Sequence, residues 1–323
     1  MPVMTELDPA TPLLRALKQE ELFPIREVSR LTGVNPVTLR AWERRYGLIQ
    51  PTRTESGHRL YAMSDIETVR TIMGWIERGV AVSKIGKILA KTAAQALPIH
   101  TPSGIATQSI AQTEWDDWQT QLHAAVSAFD ESALEGLYGQ VFSSYPLNVV
   151  FQNILLPLWQ RLLVQPGEFG QVSEWLFLDG FLRARVLQRL RPVCGFPCKR
   201  IVVAAVPDQC RELELLVAGL LLGDGDRCIS VLAVGQPFDE LTLVCEKLRP
   251  EALVLYSNRS PMTDLPRRLK RLALSVDCAV MLAGDVSELL QERLEGSSIG
   301  CLGSDGQLMR RRLRQLLAGR LDT

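Results

Sequence analysis

Apolar residues at helical spacing mark the first ordered region of the chain. Positions 25, 28 and 31 are apolar, which predicts a helix that ends at the tight turn Thr32–Val34. Asn35 and Pro36 then provide a strong helix start, because the asparagine oxygen can cap free backbone N–H groups and proline suits the first helical position. Gly47 is predicted to end this second helix in a left-handed conformation. The buried stripe of the second helix is predicted to comprise Leu39, Trp42 and Tyr46.

Two helices joined by a short glycine turn predict a helix-turn-helix. Pro51–Tyr61 carries Gly57 between two short extended segments, which predicts a hairpin. Ser64 is predicted to cap a third helix that runs to about Arg78, and a fourth helix is predicted over residues 83–91. Together these elements predict a winged helix-turn-helix domain over residues 23–91, preceded by a loose leader at residues 1–22.

A change in composition follows this domain. Residues 92–112 contain no Asp, Glu, Lys or Arg and include Pro98, Pro102 and Gly104, which predicts a linker. Thr113 and Asp116 have the spacing of a capping box, so we expect a four-helix bundle to begin there and to extend over residues 113–192. Its core is predicted to be anchored by Trp115, Trp118, Phe129, Trp159 and Trp175.

Short apolar runs alternate with helical segments in the last part of the chain. Strands are predicted at 199–206, 228–234, 252–256, 279–282 and 299–302, and helices at 213–222, 238–248, 265–274, 286–294 and 307–317. This alternation is typical of a Rossmann-like, doubly wound α/β domain with a parallel sheet, here over residues 193–323. The fold class is therefore predicted to be α+β multidomain, with a winged helix-turn-helix, a middle helical bundle and an α/β domain.

Composition limits the protein class and the compartment. No run of about 18 uninterrupted apolar residues occurs, so we expect no transmembrane span, and the first 22 residues lack the order of a secretion signal. All seven cysteines lie at or after Cys194 without a disulfide spacing, which favours a reducing, cytoplasmic setting. Cys194 and Cys198 could chelate a metal, but no third ligand is near them, so packing or loop thiols are favoured.

Charge is distributed unevenly although the chain as a whole has a formal net charge of zero. Residues 23–91 contain 12 arginines and lysines and 6 acidic residues, a net charge of +6, so the remainder carries −6. A basic module on an acidic body is the electrostatic pattern of a polyanion-binding protein. A solvated basic surface explains the charge alone equally well.

The second predicted helix and the hairpin supply the candidate DNA contacts. On the helix, Arg40 and Arg44 lie opposite the apolar stripe, where arginine can bind a guanine edge or a phosphate. Arg45 lies beside the stripe and is expected to form an internal ion pair. For any single arginine, a surface role or a salt bridge remains the alternative. The predicted DNA-binding residues are Asn35, Val37, Thr38, Arg40, Arg44, Arg53, His58, Arg59 and Tyr61.

Several motifs at matching spacing carry a family resemblance over residues 23–90. They are IREVS at 25–29, TGV at 32–34, TLRAWERRYGL at 38–48, GHRLY at 57–61 and Asp65-Ile66. This pattern resembles the winged helix-turn-helix of the MerR family, and in particular its MlrA-like and CarH-like subgroup with a cobalamin-type C-terminal region. The resemblance implies dimers, or higher homo-oligomers, on pseudo-palindromic promoter DNA, acting on RNA polymerase indirectly by distorting that DNA.

The same resemblance implies two cobalamin-binding motifs that this chain lacks. Glu174-Trp175 stands where a Glu-His pair is expected, and Arg211 stands where a loop histidine would ligate cobalt. The chain has only His58, His100 and His123, none of them in the α/β region. Arginine stays protonated and cannot replace neutral imidazole as a metal ligand. We therefore expect no cofactor, although a polar or anionic ligand at Ser257–Ser260 remains an alternative.

The sequence thus predicts a sequence-specific transcription regulator rather than an enzyme. It contains no serine-histidine-acid set, phosphate loop or dinucleotide fingerprint, and we predict no catalytic, cofactor-binding or metal-binding residue. The C-terminal region is expected to serve sensing, assembly or binding of a signalling protein partner. The alternative is a ligand-gated regulator that binds cobalamin or another small molecule between the bundle and the α/β domain.

Overall fold

A computed structural model describes residues 22–54, 57–77, 104–164, 169–190, 199–223, 227–259 and 263–319. It also describes the single residues 80, 82, 85, 86 and 89, which lie between the second and third of these segments. The predicted leader, most of the predicted fourth helix and the Cys194–Cys198 pair lie outside these residues. The chain divides into two compact units, residues 1–114 with Phe142–Pro146, and residues 115–141 with 147–323.

The described part of the first unit is a helix-turn-helix with a small sheet. Its helices are α1 (Ile25–Thr32), α2 (Pro36–Tyr46) and α3 (Met63–Glu77). Strands β1 (Phe23–Pro24), β2 (Thr52–Arg53) and β3 (Arg59–Tyr61) form an antiparallel sheet in the order β1-β3-β2, which confirms the predicted hairpin.

Local sequence signals set the ends of α2. The Asn35 side chain accepts a hydrogen bond from the backbone N–H of Val37 at 2.8 Å, and Gly47 ends the helix at φ +60°, as the sequence predicts. The prediction for α3 is wrong in one detail. Ser64 lies inside that helix, and the Asp65 carboxylate accepts the backbone N–H of Ala62 at 2.9 Å instead.

The second unit begins with long helices. These are α4 (Gly104–Ser127), α5 (Glu131–Ser144), α6 (Leu147–Val164, with a π-helical stretch at Val150–Leu155) and α7 (Gln171–Leu190). The first residues of α4, up to Glu114, and the last residues of α5, from Phe142, belong to the first unit. The four predicted helices are present, but α4 begins at Gly104, within the expected linker. Alanine and glutamine are good helix formers without any charge, so a charge-free segment need not be a linker.

Aromatic anchoring of the helices is only partly as predicted. Trp159 is fully buried in the core. Phe129, in contrast, is half exposed, because it lies at φ +53° in the turn after α4 and points away from the core. Helix α6 is long and apolar enough to cross a membrane by length and composition, and 44% of it is buried inside the protein.

The C-terminal part is a five-stranded parallel sheet. Its strands are β4 (Arg200–Ala205), β5 (Cys228–Val231), β6 (Ala252–Tyr256), β7 (Ala279–Ala283) and β8 (Ile299–Gly303), in the order β5-β4-β6-β7-β8. The connecting helices are α8 (Glu212–Leu222), α9 (Leu241–Leu248), α10 (Leu265–Ser275), α11 (Asp285–Leu289), α12 (Gln291–Leu294) and α13 (Gly306–Leu317). This is the doubly wound α/β architecture that the sequence predicts.

Candidate nucleic-acid interface

The outer face of α2 presents two arginines to solvent. Arg40 and Arg44 are four residues apart and therefore lie on one side of the helix, and both are exposed. Val37 lies one turn earlier and is 51% exposed. Among the residues that the structure describes, neither Arg40 nor Arg44 has an acidic side chain within ion-pair distance. Both guanidinium groups are therefore available to an anionic partner.

A basic hollow of about 510 Å³ lies beside this face. Four arginines line it, three from α2 and one from the hairpin, and the remaining lining is small and uncharged. Guanidinium groups recognise phosphate through paired N–H donors, so this concentration of arginine suits a polyanion. The lining residues are Val37, Arg40, Ala41, Arg44, Arg45, Arg59 and Ser143.

The hairpin arginines are held by an acidic residue of α2. Glu43 accepts hydrogen bonds from Arg59 Nε and Nη2, the latter at 3.1 Å, and from Arg53 Nη2 at 3.0 Å. The Arg59 side chain is 13% exposed and that of Glu43 is 16% exposed, whereas Arg53 is 55% exposed. The hydrogen bonds from Arg59 keep the pKa of Glu43 below its usual value, although burial opposes them. Glu43 thus fixes the hairpin against the helix.

Sequence reasoning missed Glu43, because an ion pair across 16 residues leaves no periodic signal. The antiparallel pairing of Arg53 with Arg59 brings both arginines to the same carboxylate. The predicted hairpin contacts are therefore not equivalent. Arg53 remains open to solvent, whereas Arg59 presents only part of its guanidinium.

His58 lies at the exposed tip of the hairpin. Its backbone N–H donates to Thr54 Oγ1 at 3.0 Å, and its side chain is exposed. The preceding Gly57 has φ +81°, a conformation that favours glycine, so the turn requires it. The imidazole is therefore open to solvent.

Three predicted roles need correction. Thr38 is fully buried, with its hydroxyl donating to the carbonyl oxygen of Phe142 at 3.0 Å, so it does not face solvent in this structure. Tyr61 is also fully buried, and burial raises its pKa to about 12. Arg45 is exposed and donates to Ser143 Oγ at 3.4 Å instead of forming an internal ion pair.

The buried face of α2 packs against residues 142–146 of the same unit. Trp42 is fully buried, and its indole N–H donates to the carbonyl oxygen of Ser144 at 3.0 Å. Thr38 contacts the same segment, through Phe142. Helix geometry alone predicts that Thr38 lies on the exposed face of α2, but its hydrogen-bond partner lies 104 residues further along the chain. Such a distant partner cannot be found from local spacing.

In the second unit, the residues at the expected cobalamin-ligand positions contact each other. The Arg211 guanidinium lies over the Trp175 ring, 5.3 Å from its centroid. Trp175 packs against Trp159 at 5.8 Å between ring centroids. Arg183 of α7 pairs with Glu212 of α8 at 2.7 Å, so an ion pair also bridges the two helices. A cation held over an indole offers no lone pair to cobalt.

Two of the three described polar residues that follow β6, Asn258 and Arg259, are paired within the protein, whereas the buried hydroxyl of Ser257 has no hydrogen-bond partner among the described residues. The Asn258 amide donates to the Tyr256 hydroxyl at 2.7 Å and to Glu214 at 3.4 Å, and its oxygen accepts the backbone N–H of Asp285. Arg259 donates to the carbonyl oxygen of Asp208. The contacts of Asn258 and Arg259 are those expected of an ordinary polar loop. Ser260 lies outside the described residues.

Comparison with known proteins agrees with the geometry of the first unit. Residues 23–92 match the model of the MerR HTH family regulatory proteins. The chain is 35% identical over 161 residues to the HTH-type transcriptional regulator MlrA of Escherichia coli, covering 50% of this chain and 59% of that protein. It is 27% identical over 237 residues to the HTH-type transcriptional repressor CarH of Myxococcus xanthus, covering 72% and 77%. Both relatives are named as transcription regulators rather than as enzymes.

The chain spans 59% of the length of MlrA. Among solved structures, it resembles the monomethylamine corrinoid protein of Methanosarcina barkeri at 12% identity and a TM-score of 0.44, covering 62% of this chain and 98% of that one. The family match coincides with the helix-turn-helix and the hairpin of the first unit. Residues 23–92 therefore form a helix-turn-helix domain of the MerR regulatory type.

Proposed function

We propose that this protein is a sequence-specific, cytoplasmic DNA-binding transcription regulator, in which α2 enters the major groove and the hairpin contacts the phosphate backbone. The exposed Arg40 and Arg44 beside an arginine-lined hollow carry this proposal. Arginines on one face of a helix can bind guanine edges while neighbouring basic groups hold phosphates. The net charge of +6 on residues 23–91 supports a nucleic acid as the partner.

The DNA contacts divide by their exposure. We assign base contacts to Val37, Arg40 and Arg44, and phosphate contacts to Arg53, His58 and the exposed part of Arg59. Asn35 serves chiefly as the helix cap, and a contact from Thr38 or Tyr61 would require these buried hydroxyls to become exposed. Glu43 positions the two hairpin arginines and reduces their net charge.

We also propose that the protein binds a pseudo-palindromic promoter site as a homodimer or larger homo-oligomer. The family resemblance supports this arrangement, because a two-fold protein matches a two-fold DNA site. RNA polymerase would then be affected through the shape of the bound promoter. The C-terminal α/β part would serve assembly or the binding of a signalling protein partner.

Cobalamin is not proposed as a ligand, because the residues at its expected site do not fit it. Arg211 and Trp175 occupy the positions of the two family motifs and stack on each other. The bundle histidine His123 faces Glu174, with 3.4 Å between Nε2 and the carboxylate oxygen. No imidazole from the α/β region can replace the missing cobalt ligand, since the sequence has none there.

The test is a gel-shift titration of full-length protein at fixed salt, using its selected DNA site. Arg40→Ala or Arg44→Ala should weaken binding by roughly 1–3 kcal/mol and relax specificity at one base position. Arg271→Ala is the matched control, because it removes the same charge from an exposed arginine of α10. Unchanged affinity in both α2 variants, or an equal loss in the control, would contradict the assignment of α2 to base recognition.

A further inference from the structure

Two cysteine thiols lie next to each other close to the amino end of β7. Cys245 belongs to α9, and Cys278 directly precedes β7. Their sulfur atoms are 3.9 Å apart, although the residues are separated by 33 positions. A disulfide has an S–S distance of about 2.05 Å, so the two sulfurs would have to approach each other by about 1.9 Å to bond.

Both thiols line an open cleft of about 1050 Å³. Cys245 is 6% exposed and packs in the apolar core beneath the cleft, whereas Cys278 is half-buried at its wall. The cleft is therefore wide enough to admit a small oxidant to the more exposed sulfur. Its remaining lining includes Glu246, Lys247, Arg249 and Asp277, of which Glu246 and Lys247 pair with each other at 3.0 Å.

The two sulfurs lie in different surroundings. The hydrogen bond with Cys245 lowers the pKa of Cys278, while burial and Asp277 oppose that effect. The same hydrogen bond, together with burial, raises the pKa of Cys245. Burial also raises the pKa of Cys301, and it raises that of Cys210 to about 12. Cys278 is also the more exposed of the two sulfurs, so it is the one that a small oxidant reaches from the cleft, with Cys245 as its neighbouring thiol.

We propose that Cys245 and Cys278 form a reversible dithiol–disulfide site whose oxidant is a hydroperoxide. The Cys278 thiolate attacks one peroxide oxygen, the O–O bond breaks, and the leaving hydroxide takes a proton to become water. The Cys245 sulfur then attacks the resulting sulfenic acid and loses its proton, and a second water leaves as the S–S bond forms. Two thiols are oxidised by two electrons in total, and one hydrogen peroxide is reduced to two waters.

The disulfide would connect α9 covalently to the start of β7. Ala279, the residue after Cys278, pairs with Ala252 at the start of β6. Oxidation would thus restrain the α9–β6 connection against the neighbouring strand. A dithiol reductant would restore the two thiols, so the site is reversible by the same exchange chemistry.

The experiment uses full-length, fully reduced protein and hydrogen peroxide as the probe. Remaining thiols are then blocked, the protein is digested, and the peptides are identified by mass spectrometry with and without dithiothreitol. We expect a dithiothreitol-sensitive link between the peptides that contain Cys245 and Cys278, with loss of two free thiols per chain. A wild-type protein that forms no such link, or that links other cysteines instead, would overturn the proposal.

Three serine variants distinguish the roles of the two sulfurs. Cys301→Ser is the matched control on the same sheet and should form the link as the wild type does. Cys245→Ser should leave Cys278 as a sulfenic acid that dimedone labels, and Cys278→Ser should give neither link nor label at position 245. Equal dimedone labelling of Cys245 in Cys278→Ser would overturn the assignment of the attacking sulfur. Circular dichroism verifies the fold, and Cys278→Ala replaces the serine variant if that variant does not fold.

Discussion

Replacing Glu43 by glutamine tests how the hairpin is held against α2. The substitution keeps the size of the side chain but removes the charge that Arg53 and Arg59 share. A hydrogen bond to a charged group contributes roughly 1.5–3 kcal/mol, against about 0.5–1.5 kcal/mol for a neutral pair. Loss of the charged contact with the mostly buried Arg59 should therefore destabilise the hairpin by about 1–2 kcal/mol. Loss of the contact with the exposed Arg53 should add at most about 0.5 kcal/mol.

Hydrogen exchange of the hairpin amides measures this loss locally. A cost of about 1–2 kcal/mol should speed exchange over residues 51–61 by roughly 5- to 30-fold relative to the wild type. Glu67→Gln is the matched control, because it removes the same charge from an exposed position on α3. Its exchange rates should equal those of the wild type.

The effect of Glu43→Gln should also depend on pH with a defined sign. The folded-state pKa of Glu43 lies below its unfolded value, so its stabilisation is complete above about pH 4.3 and is lost as the pH falls through the folded-state pKa. The difference in hairpin stability between Glu43→Gln and the wild type should be constant between about pH 5 and 7 and should become smaller in more acidic solution. The reasoning would be refuted by equal hairpin exchange rates in Glu43→Gln and Glu67→Gln. A stability difference between Glu43→Gln and the wild type that grows in acid would refute it as well.

Three further predictions concern binding. Arg59→Ala should lower affinity for all DNA sequences alike, because it removes a phosphate contact. In salt titrations, the slope of log affinity against log salt concentration should fall in magnitude by roughly 1. A change in sequence preference alone would contradict that role. Added cobalamin should neither color the purified protein nor shift its melting temperature, because Arg211 and Trp175 fill the ligand positions. The absorption spectrum of a bound corrinoid would refute this prediction. If that spectrum disappeared in His123→Ala, His123 would be identified as the ligand. Sedimentation of the DNA complex should give an even number of chains per duplex, and one chain per site would contradict the dimer proposal.

The sequence predicted most accurately the elements that local signals define. The buried strands of the α/β part appear as short apolar runs, and Ala252–Tyr256 has the predicted bounds. The start of α2 was equally clear, because Asn35 and Pro36 act only on their immediate neighbours. Both kinds of signal depend on residues a few positions apart, which a pattern along the chain can capture.

Errors arose where distant residues or backbone conformation decide the outcome. Thr38 is helical as predicted but buried, because its hydroxyl meets the carbonyl of Phe142. Phe129 was expected in the core, yet its left-handed backbone turns it outward. The role of Glu43 and the proximity of Cys245 and Cys278 both depend on chain folding, so neither leaves a mark in local spacing.

Selection from a random duplex library tests the central claim most directly. Full-length protein should enrich one pseudo-palindromic motif at physiological salt, and Arg40→Ala with Arg44→Ala should abolish that enrichment while the protein remains folded. Arg271→Ala should enrich the same motif as the wild type. If the folded wild-type protein enriches no sequence above the random pool, α2 does not recognise DNA bases and the proposed function is wrong.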